Sequence, residues 1–115
     1  MANTSSQAST ARDGGTVTAL SETFDTTGNG QWFNPGPGAF NIFVDFTTGS
    51  GVGTVQLMCR RASGAALPNT GNGTTLYRFT ADAREIIVEV EPGISYRFAA
   101  TVTSGAISTI MSQFA

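Results

Sequence analysis

The chain is built from short runs in which apolar and polar residues alternate, and each run ends near a cluster of Gly, Pro, Asn or Thr. Because successive side chains of a strand point to opposite faces, this period of two predicts half-buried β-strands separated by turns. The strongest runs are AFNIFVDFT, TVQLMCRR, EIIVEV and SYRFAATVT. Their predicted core positions are Phe40, Ile42, Val44, Phe46, Val55, Leu57, Cys59, Ile86, Val88, Val90, Tyr96, Phe98, Ala100 and Val102.

Weaker alternating segments, at residues 16–23, 31–33, 76–80 and 106–112, bring the expected total to about eight strands with few or no helices. This pattern predicts an all-β fold, an antiparallel β-sandwich that is jelly-roll-like. The sandwich is expected to span residues 16–115. Residues 1–15 are small and polar without periodicity, and they predict a flexible N-terminal arm. A tight turn is expected at Pro92-Gly93, where Pro fixes φ and Gly permits a positive φ.

The chemistry that most enzymes need is missing from the composition. There is no His, which removes the usual general base, metal ligand and pH switch together. The single Cys59 cannot close an internal disulfide, and its phase predicts a small buried apolar side chain rather than a reactive thiol. Glu85, Glu89 and Glu91 alternate along one strand face, as a solvated stripe does, rather than forming a catalytic carboxylate pair. No catalytic activity, metal or cofactor is therefore predicted.

The charge balance limits the classes of partner. Six Arg and no Lys stand against eight acidic residues, which gives a formal net charge of −2. Binding to phosphates needs a basic excess, because released counterions supply most of that affinity, so nucleic acid is not an expected partner. No segment approaches the roughly 18 apolar residues of a membrane-spanning helix, and the first residues contain no secretion signal pattern. No membrane association is expected.

Apolar residues in the phase that should face water indicate a candidate interface. Phe43, Met58 and Ile87 lie opposite the predicted core face of three strong strands, and on neighbouring strands they would form one patch. Trp32 and Phe33 precede a Pro/Gly turn and predict either a plug at the edge of the core or an interface anchor. Arg60 and Arg61 end one strand and are either a solvated strand end or an anchoring pair for an acidic partner. Arg97 lies in the phase opposite the core, where a partner could reach it.

Two families resemble parts of this sequence. The stretch VEPGISYRF resembles the Pro-Gly-x-x-Tyr corner of fibronectin type III sandwiches, over nine residues only. Across most of the chain, TVTAL, a Trp before a Pro/Gly turn, FNIFVDF, GTVQLMCRRASG and EPGISYRFAATVTSGAIST resemble the small β-sandwich head proteins of tailed bacteriophages. Where that family has a Ser-x-Asp-Gly-Gly hairpin, this chain has RASGA. The size, acidity and polar arm are similar to those of capsid cement proteins of short-tailed Epsilon15-like phages.

The phage resemblance implies a capsid decoration, or cement, protein that binds the outer surface of the assembled major capsid protein lattice and stabilises the head. It implies a homodimer or other homo-oligomer on the capsid, synthesised in the host cytoplasm and located on the outside of the virion. The arm would become ordered on docking, and the patch of Phe43, Met58 and Ile87 would serve self-pairing or capsid contact. The alternative is a carbohydrate-binding or adhesion module of a fibre or surface protein, with Trp32 as a sugar platform.

Overall fold

The computed structural model describes residues 3–12, 14–35, 38–61, 74–88 and 94–114, except the side chains of Arg61, Thr74 and Val88. The described residues form nine strands in two antiparallel sheets, with no helix, and they confirm the prediction of an all-β antiparallel sandwich. The strands are β1 (Thr4–Arg12), β2 (Gly15–Phe24), β3 (Gly28–Asn29), β4 (Ala39–Asp45), β5 (Val52–Arg61), β6 (Thr74–Phe79), β7 (Ala83–Val88), β8 (Ile94–Ser104) and β9 (Ile107–Phe114).

The strand order is that of a jelly roll with one additional edge strand. Sheet I has the order β1-β2-β9-β4-β7, and sheet II has the order β3-β8-β5-β6. Among the eight strands from β2 to β9, one sheet contains β2, β9, β4 and β7, and the other contains β3, β8, β5 and β6. This is the order in which the eight strands of a jelly roll form two sheets. The predicted jelly-roll-like sandwich is thereby confirmed, and β1 extends sheet I beyond it.

The inner faces of the two sheets meet in one apolar core. The predicted core positions on β4, β5 and β8 are confirmed, including Cys59, and Val102 packs against the core while partly buried. The Phe40 ring of sheet I links the sheets, with its centroid 5.8 Å from that of Phe33 and 4.7 Å from that of Tyr96. Burial of each such aromatic side chain contributes about 1.5–3 kcal/mol, so this trio fixes the segment before β4 against both sheets.

The prediction that Ile86 faces the core from β7 is wrong. Ile87 is 5% exposed and belongs to the core, whereas Ile86 is 65% exposed on the outer face. Two adjacent isoleucines fit either phase of a strand, and the register with β4, in which Phe40 lies opposite Ile87, selects the inward one. Glu85 shares that inner phase but remains exposed, because β7 is the edge strand of sheet I. The predicted core residue Val90 and the Pro92-Gly93 turn lie outside the described residues.

The segment expected to be a flexible arm contains strand β1. It pairs with β2 from Thr4 opposite Thr23 to Arg12 opposite Gly15, without a register shift, and all nine of its residues are exposed. The Asn3 side chain adds an attachment, since its Oδ1 accepts hydrogen bonds from the Asp25 amide at 2.8 Å and the Thr26 amide at 3.1 Å. Backbone pairing needs no apolar side chains, which explains why composition did not indicate this strand.

Candidate protein-binding surface

The segment between β3 and β4 places Trp32 on the outer face of sheet II. The Phe33 amide donates to the Tyr96 carbonyl at 2.6 Å, and the Tyr96 amide donates to the Phe33 carbonyl at 2.9 Å. This pairing directs Phe33 into the core, so the preceding side chain points the other way. Of the two predicted roles, Phe33 therefore has that of the core plug, and Trp32 lies half-buried on the surface.

Two arginine side chains stack on Trp32. The Arg60 guanidinium carbon lies 4.1 Å from the ring centroid, and that of Arg97 lies 4.3 Å from it. The two arginines come from the neighbouring strands β5 and β8. Met58 of β5 lies opposite Arg97 of β8, and Arg60 of β5 lies opposite Ser95 of β8, so these four residues share the outer face of sheet II. Each cation–π contact contributes about 0.5–1 kcal/mol when exposed and about 2 kcal/mol when desolvated. We call Trp32, Arg60 and Arg97 the arginine–tryptophan stack.

The stack brings two like charges together in a partly dry environment. Burial lowers the pKa of the Arg97 guanidinium, and the neighbouring charge of Arg60 lowers it further. The Nε atom of Arg60 is buried and makes no hydrogen bond to the described residues. Both observations indicate that a negatively charged group placed beside the stack would be stabilised by the two guanidinium charges and could accept their hydrogen bonds.

Charge is distributed unevenly between the two sheets. Four of the six arginines lie on strands of sheet II, and none of the described acidic residues does. Arg78 of β6 lies opposite Gln56 of β5 and is exposed on the same outer face as the stack. The strands of sheet I carry Arg12 and Arg84 with three carboxylates. A chain with a net charge of −2 therefore presents one cationic face.

A buried carboxylate of sheet I supports the segment that carries Trp32. The Glu22 Oε2 atom accepts a hydrogen bond from the Gln31 amide at 2.8 Å and from the Ser5 hydroxyl at 3.0 Å. Its Oε1 atom is buried without a partner among the described residues, and burial raises the pKa of this carboxyl. Gly30 makes the arrangement possible, because a Cβ there would lie 2.2 Å from Oε1. Trp32 is thus held in place from both sheets.

The other predicted interface residues do not join the stack as one patch. Met58 is buried on the outer face of sheet II, outside the core cluster, and its sulfur accepts the Thr75 hydroxyl at 3.1 Å. Phe43 lies on the outer face of sheet I, with the Arg84 guanidinium carbon 5.5 Å from its ring centroid. Because Ile87 lies in the core, the predicted patch of Phe43, Met58 and Ile87 is wrong. Arg61 ends β5, and its side chain lies outside the described part.

The remaining reactive groups are not gathered into a second site. In the ranges that the structure describes, no three His, Cys, Asp or Glu side chains lie close enough together to hold a metal ion. Cys59 is buried in the core, and desolvation raises the pKa of its thiol, so the predicted small apolar role is confirmed. The same residues include no helix of the length and apolar character that crossing a membrane requires.

Comparisons with known proteins give similarity of structure only. No protein-family model matches the chain, and no curated protein matches it in sequence. One similar solved structure is Drosophila melanogaster CENP-C bound to CAL1, at 9% identity and a TM-score of 0.46, covering 95% of this chain and 81% of that one. Another is the Drosophila melanogaster CENP-C cupin domain, at 11% identity and a TM-score of 0.46, covering 100% of this chain and 82% of that one.

Proposed function

We propose that the protein is a capsid decoration protein of a tailed bacteriophage, which binds the outer surface of the assembled major capsid protein lattice and stabilises the head. The observation that carries this proposal is the arginine–tryptophan stack on the cationic face of sheet II. On this proposal the chain has no enzymatic activity. It is synthesised in the host cytoplasm and acts on the outside of the virion.

The stack has the chemistry of a protein-binding anchor for an acidic surface. Trp and Arg are the residue types most enriched at the positions that dominate binding energy in interfaces. A guanidinium group can hold a carboxylate through two parallel hydrogen bonds, and a stacked arginine loses less conformational freedom on binding because its position is already fixed. Anchoring of Trp32 from both sheets adds to this preorganisation, which supports binding to a rigid lattice rather than to a mobile chain.

Stabilisation of the head would follow from selective binding to one lattice state. A protein that binds the expanded lattice, and not its precursor or free subunits, stabilises that lattice by mass action as its concentration exceeds its dissociation constant. Carboxylates brought together by neighbouring capsid subunits would supply the complementary charge. Binding across subunit boundaries would then oppose the internal pressure of the genome.

The carbohydrate-binding alternative receives less support from this geometry. A sugar platform requires an aromatic ring with an uncovered face, and two guanidinium groups lie over the Trp32 ring at 4.1 and 4.3 Å. A sugar that stacks on a ring face covered by a guanidinium group would have to displace that group. We therefore retain this alternative only as an outcome of the binding test.

The experiment is co-sedimentation of the purified protein with expanded heads and with procapsids of the phage in whose genome the sequence is found. We expect saturable binding to expanded heads and none to procapsids. Replacement of both stack arginines by Gln should weaken binding at least about tenfold, equivalent to about 1.4 kcal/mol. The matched control is Arg12→Gln with Arg84→Gln, which makes the same charge change on sheet I; with its oligomeric state checked by sedimentation velocity to be that of wild type, it should leave binding to heads within about twofold.

Four outcomes would contradict the proposal. Equal binding to both lattice states, or binding to neither, excludes a decoration role. Binding to single-stranded DNA that is lost in the Arg60→Gln, Arg97→Gln variant would identify a nucleic acid as the partner of this face. Micromolar binding to a glycan that Trp32→Ala abolishes would favour the adhesion module.

A further inference from the structure

The outer face of sheet I exposes a group of large apolar side chains to water. Ile86 is 65% exposed, Phe114 is 56% exposed and Ile110 is 38% exposed, while Phe43 is half-buried beside them. An antiparallel sheet with one face in water normally carries polar residues on that face. We call the outward-pointing residues of this sheet the outer face of sheet I.

The register across the five strands gives this face two different halves. One row contains, from β1 to β7, Ser6, Ser21, Ile110, Phe43 and Arg84. The next row contains Ala8, Ala19, Ser112, Asn41 and Ile86. In these two rows, small residues occupy β1 and β2, and larger side chains occupy β4 and β7. The central strand β9 separates the two halves and contributes Ile110.

We propose that this face pairs with the same face of a second copy of the chain, about a two-fold axis that runs along β9. Such a rotation places the large side chains of β4 and β7 over the small side chains of the partner's β2 and β1. In a two-fold interface each copy presents the same surface, so the surface must be complementary to itself. The outer face of sheet I meets that requirement, because a flat half with small side chains on β1 and β2 and a raised half with larger side chains on β4 and β7 lie on either side of the central strand β9.

The face is large enough for a stable dimer. Five strands spaced by about 4.8 Å, with the eight residues of β9 rising about 3.4 Å each, give a footprint of roughly 650 Å² per copy. The pair would bury roughly 1,300 Å², which lies within the range of specific protein interfaces. The exposed apolar side chains of β9 and β7 would be removed from water, and most of the remaining area is contributed by Ser, Thr and Ala.

Charge favours a second copy over an acidic or basic partner. The charged residues at the described outward positions of sheet I are Arg12, Asp45 and Arg84. The face therefore carries charges of both signs and little net charge. Strand β1 supplies a further reason, because ordering nine exposed residues costs about 1–2 kcal/mol each in backbone entropy. Pairing would cover one side of β1 and stabilise it.

This inference does not depend on the decoration function. The two outer faces lie on opposite sides of a sandwich whose shortest dimension is 22 Å, so a pair formed through sheet I leaves both arginine–tryptophan stacks exposed. The dimer would then present two cationic faces that point away from each other.

The experiment is sedimentation velocity over a dilution series of the purified full chain, with circular dichroism as a check of folding. We expect a dimer at about 100 μM and at least about 100-fold weaker association in Ile110→Asp, which places two like charges on the axis. Ala19→Arg, which fills the flat half instead, should have the same effect. The control is Leu76→Asp, an equally drastic change at a residue of sheet II that is 45% exposed, and it should leave association unchanged.

The proposal is overturned if the wild-type chain is monomeric at about 100 μM, or if both folded variants remain dimeric. Loss of the dimer on deletion of residues 1–12, with no effect of Ile110→Asp, would show edge-to-edge pairing through β1 and would equally refute it. A wild-type monomer that binds heads only when Ile110 is intact would assign this face to the capsid protein instead.

Discussion

Replacement of Gly30 by Ala should destabilise the protein through its contact with Glu22. The added Cβ would lie 2.2 Å from Oε1, 2.6 Å from Oε2 and 2.7 Å from Cδ of that carboxyl. Gly30 is not among the described residues with positive φ, so the backbone itself tolerates Ala. The cost therefore comes from the carboxylate, which must move away.

The magnitude follows from the hydrogen bonds that the carboxylate would lose. It accepts the Gln31 amide at 2.8 Å and the Ser5 hydroxyl at 3.0 Å, and a hydrogen bond to a charged group contributes about 1.5–3 kcal/mol. Part of that loss is offset because the displaced carboxylate regains water. We expect the free energy of unfolding to fall by about 2–3 kcal/mol.

Urea denaturation of four chains measures this coupling: wild type, Gly30→Ala, Glu22→Ala and the double variant. In the Glu22→Ala background the contact is absent, so Gly30→Ala should be neutral or should stabilise by about 0.4–1 kcal/mol through the unfolded chain. An equal cost of Gly30→Ala in both backgrounds would refute the reasoning. It would mean that the segment before Trp32 is not held by Glu22.

Three further predictions test the core, the pH response and the backbone at Gly53. Ile87→Ala should lower the free energy of unfolding by about 2–5 kcal/mol, whereas Ile86→Ala should change it by less than about 0.5 kcal/mol in dilute protein; similar values would contradict the phase of β7. Burial raises the pKa of Glu22 above its ordinary value of 4.5, so the part of the stability that comes from its bound proton is complete below that pH and is lost as pH rises through the folded-state pKa. The thermal midpoint of wild type relative to Glu22→Gln should therefore decline as pH rises above 4.5, and a pH-independent difference would contradict this. Gly53→Ala should lower the free energy of unfolding by more than about 2 kcal/mol, because φ is 149° and a Cβ would lie 1.9 Å from the Thr101 carbonyl oxygen. Gly14→Ala is the control that reports the effect of φ alone, because Gly14 has a φ of 81° and open space around the position of the Cβ.

The sandwich was predictable because burial on one side of a strand leaves a direct trace in the sequence. Phe40, Ile42 and Val44 alternate with polar or outward residues, so a single run fixes both the strand and its inner face. The adjacent Ile86 and Ile87 carry no such information, and only pairing with β4 decides between them. Strand β1 is formed by backbone hydrogen bonds among small polar residues, which leave no periodic signal.

The candidate site was predictable in its parts but not in its assembly. Trp32, Arg60 and Arg97 each stood out in the sequence but are separated by long stretches of chain, and the pairing of β5 with β8 and of Phe33 with Tyr96 brings them together. Arg78 was missed, although the alternation of residues 76–80 placed it on a strand. The apolar group around Ile110 was missed because the weak alternation of residues 106–112 predicts a strand but does not show which strands flank it, and those strands determine what surrounds its outward positions.

The position of Trp32 has a practical consequence for spectroscopy. It is the only Trp in the chain, so fluorescence excited at wavelengths that Tyr does not absorb comes from this side chain alone. Any ligand that moves either guanidinium group away from the ring, or that brings a carboxylate beside it, changes the local field and the polarity that set the emission wavelength. The unmodified protein therefore carries an optical reporter at the surface where binding is proposed.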